Sequence, residues 1–132
     1  MTVANDDFRR RIGALVSALG LLQRSQPDSV GYAEFRGKLE KCVRLVLDTA
    51  AGLLRDLPAD RGAAAAAVLS PREALRRAHE QGLLNAEEAE RWYGYFERLL
   101  PGDGDAIGED TLVRLRAFLL DARSLEATLR GT

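Results

Sequence analysis

Apolar residues recur along this chain at steps of three and four, and no segment sustains an alternation of period two. Phe8, Ile12, Leu15, Leu19 and Leu22 step by four, three, four and three, which puts them on one face of a helix. The spacing predicts a first helix over residues 6–24 whose stripe needs a partner helix. Gln26-Pro27-Asp28-Ser29 breaks the pattern. It resumes over 32–57 as the longest predicted helix, close to ~40 Å at 1.5 Å per residue. There Phe35, Leu39, Cys42, Val46 and Leu53 form one stripe, widened by Val43, Leu47, Ala50, Leu54 and Leu57. So wide a stripe marks a helix touched from two sides, a central member of a bundle. A last helix over 109–130 carries Leu112, Leu115, Leu119, Ala122 and Leu129, with Phe118 and Leu125 beside them.

The sharpest punctuation lies between residues 70 and 105. Ser70-Pro71-Arg72-Glu73 is a helix start: a capping hydroxyl, a proline where its missing N–H costs nothing, and a glutamate placed to reach back. Gly82 supplies the left-handed residue that ends that helix. Asn85 with Glu88 repeats the capping logic for the next one, which Pro101-Gly102 stops. In it Ala89, Trp92, Phe96 and Leu99 share a face. With those facing the core, either Tyr93 or Tyr95 points elsewhere. The segment 58–69, with its five consecutive alanines, reads as a loop with one helical turn, long enough to let the third helix swing to a non-adjacent place. The expected fold is all-α, an up-and-down bundle of four to five helices, with residues 1–132 as a single domain.

The run SPREALRRAHEQGLL, the helix AEEAERWYGYFERLL and the acidic turn after it resemble the C-terminal half of the HEPN superfamily. Within that superfamily they are most similar to the small proteins encoded beside minimal nucleotidyltransferases, the nucleotidyltransferase substrate-binding and HepT-like groups. A weaker likeness extends over roughly residues 8–129. The resemblance implies a HEPN-like bundle, a homodimer paired through the motif helices, and a nucleotidyltransferase partner in a two-gene, toxin–antitoxin-like module. Active HEPN ribonucleases carry an Arg, usually followed by Asn, then a His about a turn later and often a Tyr beyond. With FERLLPGDGD laid on that segment, Glu97 or Arg98 falls at the Arg position, Gly102 or Asp103 at the His, and Gly104 or a neighbour at the Tyr. Arg98 alone is a chemically plausible survivor. No catalytic residue is carried over, and a non-catalytic binding and regulatory protein is expected. The alternatives are a divergent metal-independent ribonuclease built on Arg98, and a helical interaction module with no nucleotidyltransferase link.

Composition narrows the classes further. At 132 residues the chain fits one domain, and a domain of this size buries about two-thirds of its unfolded surface. Lys+Arg 19 against Asp+Glu 20 leaves a net charge of -1, which argues against a globally basic nucleic-acid binder. One cysteine allows no internal disulfide. No apolar run approaches the ~20 residues of a membrane span, and the opening MTVANDDFRRR is not followed by the apolar core of a signal peptide. A cytoplasmic protein with no membrane contact is expected.

The candidate chemistry is sparse. His79 is the one histidine and sits among Arg76, Arg77 and Glu80, as an exposed helix residue would. Cys42 lies inside an apolar stripe and reads as a small buried filler. One His and one Cys make no zinc constellation, and no cofactor is expected. The acidic stretch from Asp103 to Asp110 opens like a calcium loop, but Ile107 and Arg114 fall where positions five and twelve need oxygen ligands. It reads as a solvated turn that would repel a phosphate backbone. Arg9, Arg10 and Arg11 read as a solvated face in preference to a phosphate contact; because a helix dipole disfavours cations at a first turn, an acidic partner surface is a further candidate to hold them. The remaining binding candidates are Trp92, Tyr93, Tyr95, Phe96 and Arg98, a homodimer or partner seam on the fourth helix.

Overall fold

The computed structural model describes residues 3–25, 30–55, 70–100 and 107–130. Five helices follow in order: α1 (Val3–Gln23), α2 (Tyr32–Arg55), α3 (Pro71–Glu80), α4 (Ala86–Glu97) and α5 (Glu109–Arg130). The fold is all-α, with no strand among the described residues. The α1 stripe is buried at all five of its positions, Phe8, Ile12, Leu15, Leu19 and Leu22. It packs on α2 and α5, while α3 packs on α2 and α4. α2 is therefore touched from two sides, as its wide stripe requires. Side chains from all five helices meet in one apolar cluster, centred on Phe8, Leu15, Leu39, Val46, Leu54, Trp92, Leu115 and Phe118. No described helix is long and apolar enough to cross a membrane.

Several boundaries and faces differ from expectation, each for a local reason. The linker length leaves α3 free to lie away from α2, yet Arg77 of α3 donates to the carbonyl of Arg55, 3.0 Å away at the end of α2. That bond satisfies an orphan carbonyl with a cation where the helix dipole favours one. α4 ends at Glu97 rather than near Pro101. Arg98 turns extended (φ -167°, ψ 116°), which carries Leu99 into the core, and its carbonyl accepts from Arg114 of α5 at 2.8 Å. On α5 the buried face is turned by one residue: Leu115, Phe118, Ala122, Leu125 and Leu129 are inside, while Leu112 and Leu119 are half-buried. Cys42, expected to be a buried filler, is half-buried against the core. The predicted loop and helical turn at 58–69, Leu57, Pro101-Gly102 and the acidic residues Asp103 and Asp105 lie outside the described residues.

The capping residues sit where the sequence places them, but only Asn85 and Glu88 close a full box; at Ser70 the return bond to Glu73 is not formed. Ser70 Oγ accepts from the Glu73 N–H at 3.2 Å. Gly82 takes φ +80°, and the Gly82 and Leu83 N–H groups return to the His79 and Ala78 carbonyls, the Schellman arrangement that a left-handed glycine permits. Asn85 and Glu88 close a reciprocal box, Glu88 N–H to Asn85 Oδ1 at 2.8 Å and Asn85 N–H to Glu88 Oε1 at 2.9 Å. This box fixes the entry of the helix that carries the aromatic cluster. Asn85→Ala is expected to lower the unfolding free energy by about 1 kcal/mol, the usual cost of losing a cap. Urea denaturation checks it; an unchanged midpoint would mean that tertiary packing alone sets the start of α4.

Candidate binding groove

The five candidates on and after α4 do not share one surface. Trp92 and Tyr95 are inside, 1% and 5% exposed. Their rings stack edge to face at 5.6 Å, and both meet Phe118 of α5, at 5.6 and 5.1 Å. Tyr93 is therefore the tyrosine that points elsewhere. It is half-buried on the α3 side, with the Arg72 guanidinium 4.6 Å above its ring centre. Phe96 is half-buried rather than a core residue, and Arg98 is exposed.

Tyr95 is committed by its hydroxyl as well as by its ring. It donates to Asp121 Oδ2 at 2.6 Å, while Arg91 grips both carboxylate oxygens at 2.8 Å. Burial and the bond to Asp121 raise the tyrosine pKa above its ordinary value. Burial alone would raise the Asp121 pKa too, but the bonds from Arg91 and Tyr95 outweigh it and hold the carboxyl below its usual range. The same contacts raise Arg91. The network ties α4 to α5 and leaves Tyr95 no free polar tip for a partner.

Phe96 and Arg98 face an open groove of about 690 Å³ between α2 and the end of α4, with the edge of Tyr95 on its inner wall. Apolar side chains line part of it: Val43, Leu47 and Ala51 from α2, Phe96, Leu99 and Leu100 from the other side. Its rim carries Glu40, Asp48 and Glu97 against Arg44, Arg55 and Arg98, three charges of each sign. Along α2 the rim continues the Arg36–Glu40 pair (3.1 Å), with Arg44 and Asp48 following at steps of four. Arg44, Asp48, Glu97 and the Arg98 side chain form no ion pair among the described residues, so their charges face solvent. A net-neutral rim beside apolar side chains suits an amphipathic protein surface. It exerts no net pull on a polyanion.

The α2 half of this groove goes unflagged in the sequence. Its signal is the run Arg36, Glu40, Arg44, Asp48, alternating in sign every four residues on the edge of an apolar stripe. The opposite wall depends on how α4 docks, which no local pattern records.

The other polar candidates have assigned places. His79 is exposed at the end of α3, and its Nδ1 lies 2.9 Å from the Leu84 carbonyl; only a donor suits a carbonyl, so Nδ1 carries the proton. It does not line the groove. Arg9 and Arg10 are exposed, as a solvated face requires, and the triplet also has partners within the chain: Arg9 with Glu126 at 3.2 Å, Arg10 with Asp7, and Arg11 with Thr49 Oγ1 at 2.7 Å. Among the described residues no cluster of three or more His, Cys, Asp or Glu could hold a metal ion. Comparison of the chain with family models, with curated proteins and with solved structures gives no match.

Proposed function

We propose that this chain is a non-catalytic binding and regulatory protein of HEPN-like type, the partner subunit of a minimal nucleotidyltransferase in a two-gene, toxin–antitoxin-like module of the cytoplasm. The family link rests on the resemblance of the segments around α3 and α4. The observation that carries the binding reading is the composition of the α2/α4 groove, apolar side chains bordered by three charges of each sign, of which Arg44, Asp48, Glu97 and Arg98 form no ion pair among the described residues. Arg98 stands on that rim without a histidine beside it, and the one histidine has its Nδ1 proton on a backbone carbonyl. A metal-independent nuclease needs an acid and a base within reach of one scissile bond. This groove holds carboxylates and arginines but no histidine, so the Arg-and-His pair of an active HEPN ribonuclease has no counterpart there. In a homodimer, self-association falls to the residues outside the core on α4 and just after it, Phe96 and Tyr93 (beneath Arg72) on the helix and Arg98 beyond its end.

The test is co-expression with the minimal nucleotidyltransferase encoded beside this chain, followed by size-exclusion chromatography with light scattering. A stable complex is expected, and Arg44→Glu, which reverses one rim charge, is expected to weaken it at least tenfold while the free protein stays folded. No complex, or one indifferent to Arg44, would overturn the assignment of the groove. Cleavage of RNA by the unmodified chain that disappears in Arg98→Ala would overturn the non-catalytic reading.

A further inference from the structure

Arg9 and Arg130 meet at a single carboxylate. Glu126 on α5 has only 7% of its side chain exposed, yet both of its oxygens meet guanidinium groups. Its Oε1 takes the Arg9 Nε of α1 at 3.2 Å, and its Oε2 takes Arg130 at 3.4 Å, one turn further along α5. A buried carboxylate tolerates its loss of water only when both oxygens are engaged, and here each has a guanidinium. The two arginines are fixed by that bridge, but they are not used up by it. Their side chains remain 54% and 40% exposed, and both open onto a cavity of about 370 Å³ between α1 and α5.

A third cation faces the same cavity. Arg123 lies one turn before Glu126, is exposed, and forms no ion pair among the described residues. Three arginines against one glutamate leave this small space with a formal charge of +2. The remaining lining is Ile12, part of the core, and Gly13, where a side chain would meet nothing within 4 Å. The absent side chain keeps the cavity open. Its volume falls within the ~300–1,000 Å³ typical of small-molecule sites.

We propose that the cavity between α1 and α5 binds the phosphate group of a small phosphate ester. Guanidinium groups present paired donors that match the oxygens of such a group, and a dianion balances the surplus charge where a carboxylate would leave half of it. Arg123, exposed and without an ion pair among the described residues, is the arm that turns onto the ligand. Arg9 and Arg130 are pre-set by Glu126, a positioning residue whose oxygens are already occupied. The ester portion lies over Ile12 and Gly13.

Thermal unfolding of the full chain tests this, with glycerol 3-phosphate, inorganic phosphate and sodium chloride at matched ionic strength. The expected result is a concentration-dependent rise of the midpoint with glycerol 3-phosphate and none with the chloride. Arg123→Ala, an exposed substitution, is expected to abolish that rise without moving the midpoint of the unliganded protein. Gly13→Leu, which fills the cavity, is expected to reduce the response at least tenfold in ligand concentration. An equal rise with inorganic phosphate would identify the free anion as sufficient; a rise confined to the ester would show that the apolar lining contributes. No phosphate-specific rise, or one that survives Arg123→Ala, would overturn the proposal.

Discussion

Trp92→Ala is expected to lower the unfolding free energy by about 3–5 kcal/mol, the range for truncating a large aromatic in a packed core. Set against the ~5–15 kcal/mol that holds an ordinary domain together, that loss puts the variant near the edge of folding. Trp92 is 1% exposed, contacts the rings of Tyr95 and Phe96 within α4, and joins α4 to α5 through Phe118. Edge-to-face pairs add ~0.5–1.5 kcal/mol each beyond area burial, so the loss exceeds what the indole's surface alone accounts for. Phe96→Ala is the internal control: its ring is only half-buried, at the groove, and a smaller effect is expected. As the single tryptophan, Trp92 also reports on itself, with blue-shifted emission in the folded protein that moves to the red on unfolding. A Trp92→Ala protein within ~1 kcal/mol of the parent in urea would place the indole outside the core, since surface changes stay within about 0.5 kcal/mol.

What could be read from the sequence divides along the range of the interaction. Helix caps and stripes are short-range: Ser70, Gly82 and Asn85 act on N–H and C=O groups within five residues, and all three behave as their types dictate. The α1 stripe is equally local, and every one of its positions is buried. The choice between Tyr95 and Phe96 for the core is different. Residues 95 and 96 both stand at helical spacing from Trp92 and Leu99, so periodicity cannot separate them. A partner 26 residues away decides, because Asp121 offers the Tyr95 hydroxyl an acceptor inside the protein. The same holds for Arg9 and Arg11, whose partners lie 117 and 38 residues distant. Two carboxylates on α5, Asp121 and Glu126, fall within or beside an otherwise apolar face, and in a sequence they look like interruptions of the stripe. In the fold they are the points where α5 is tied to α4 and to α1.

The function is harder to read for the same reason. The α2/α4 groove and the α1/α5 arginine cavity are each assembled from two segments distant in sequence, and neither uses a contiguous motif. Their electrostatics separate them. The groove is balanced in charge beside apolar side chains, suited to a protein face; the cavity is small and carries excess positive charge, suited to an anion. They share no lining residue, so the two proposed sites do not compete for a side chain. Arg44→Glu and Arg123→Ala are therefore expected to act independently, each leaving the other response intact.

Asp121→Ala is expected to lower the unfolding free energy by about 1–3 kcal/mol, the cost of leaving a buried hydroxyl without its acceptor. The Arg91 side chain is 45% exposed and returns to water when released, so its share of the loss is small, ~0–1 kcal/mol. The Tyr95 hydroxyl has no such escape, since the residue is 5% exposed. Two variants separate these contributions. Asp121→Asn keeps an acceptor for Tyr95 and should retain part of the stability. Tyr95→Phe in the Asp121→Ala background removes the stranded hydroxyl and should restore part of it. The pH profile supplies an independent reading. The Asp121 carboxyl titrates lower in the folded chain than the ~3.9 of an unfolded aspartate. Its contribution is therefore complete above that value and is lost as the pH falls through the folded one. Tyr95 runs the other way: its folded pKa is raised, so its contribution is complete below the ~10 of an unfolded tyrosine and is lost as the pH climbs towards the folded value. In Asp121→Ala the aspartate's acid loss vanishes outright, and the alkaline loss shrinks because one of the causes raising Tyr95 is gone. Equilibrium unfolding from pH 2 to pH 11 should show both edges flattened relative to the parent. Edges as steep as the parent's would mean that other groups set the pH dependence and that the α4–α5 tie at Asp121 contributes little to holding the bundle closed.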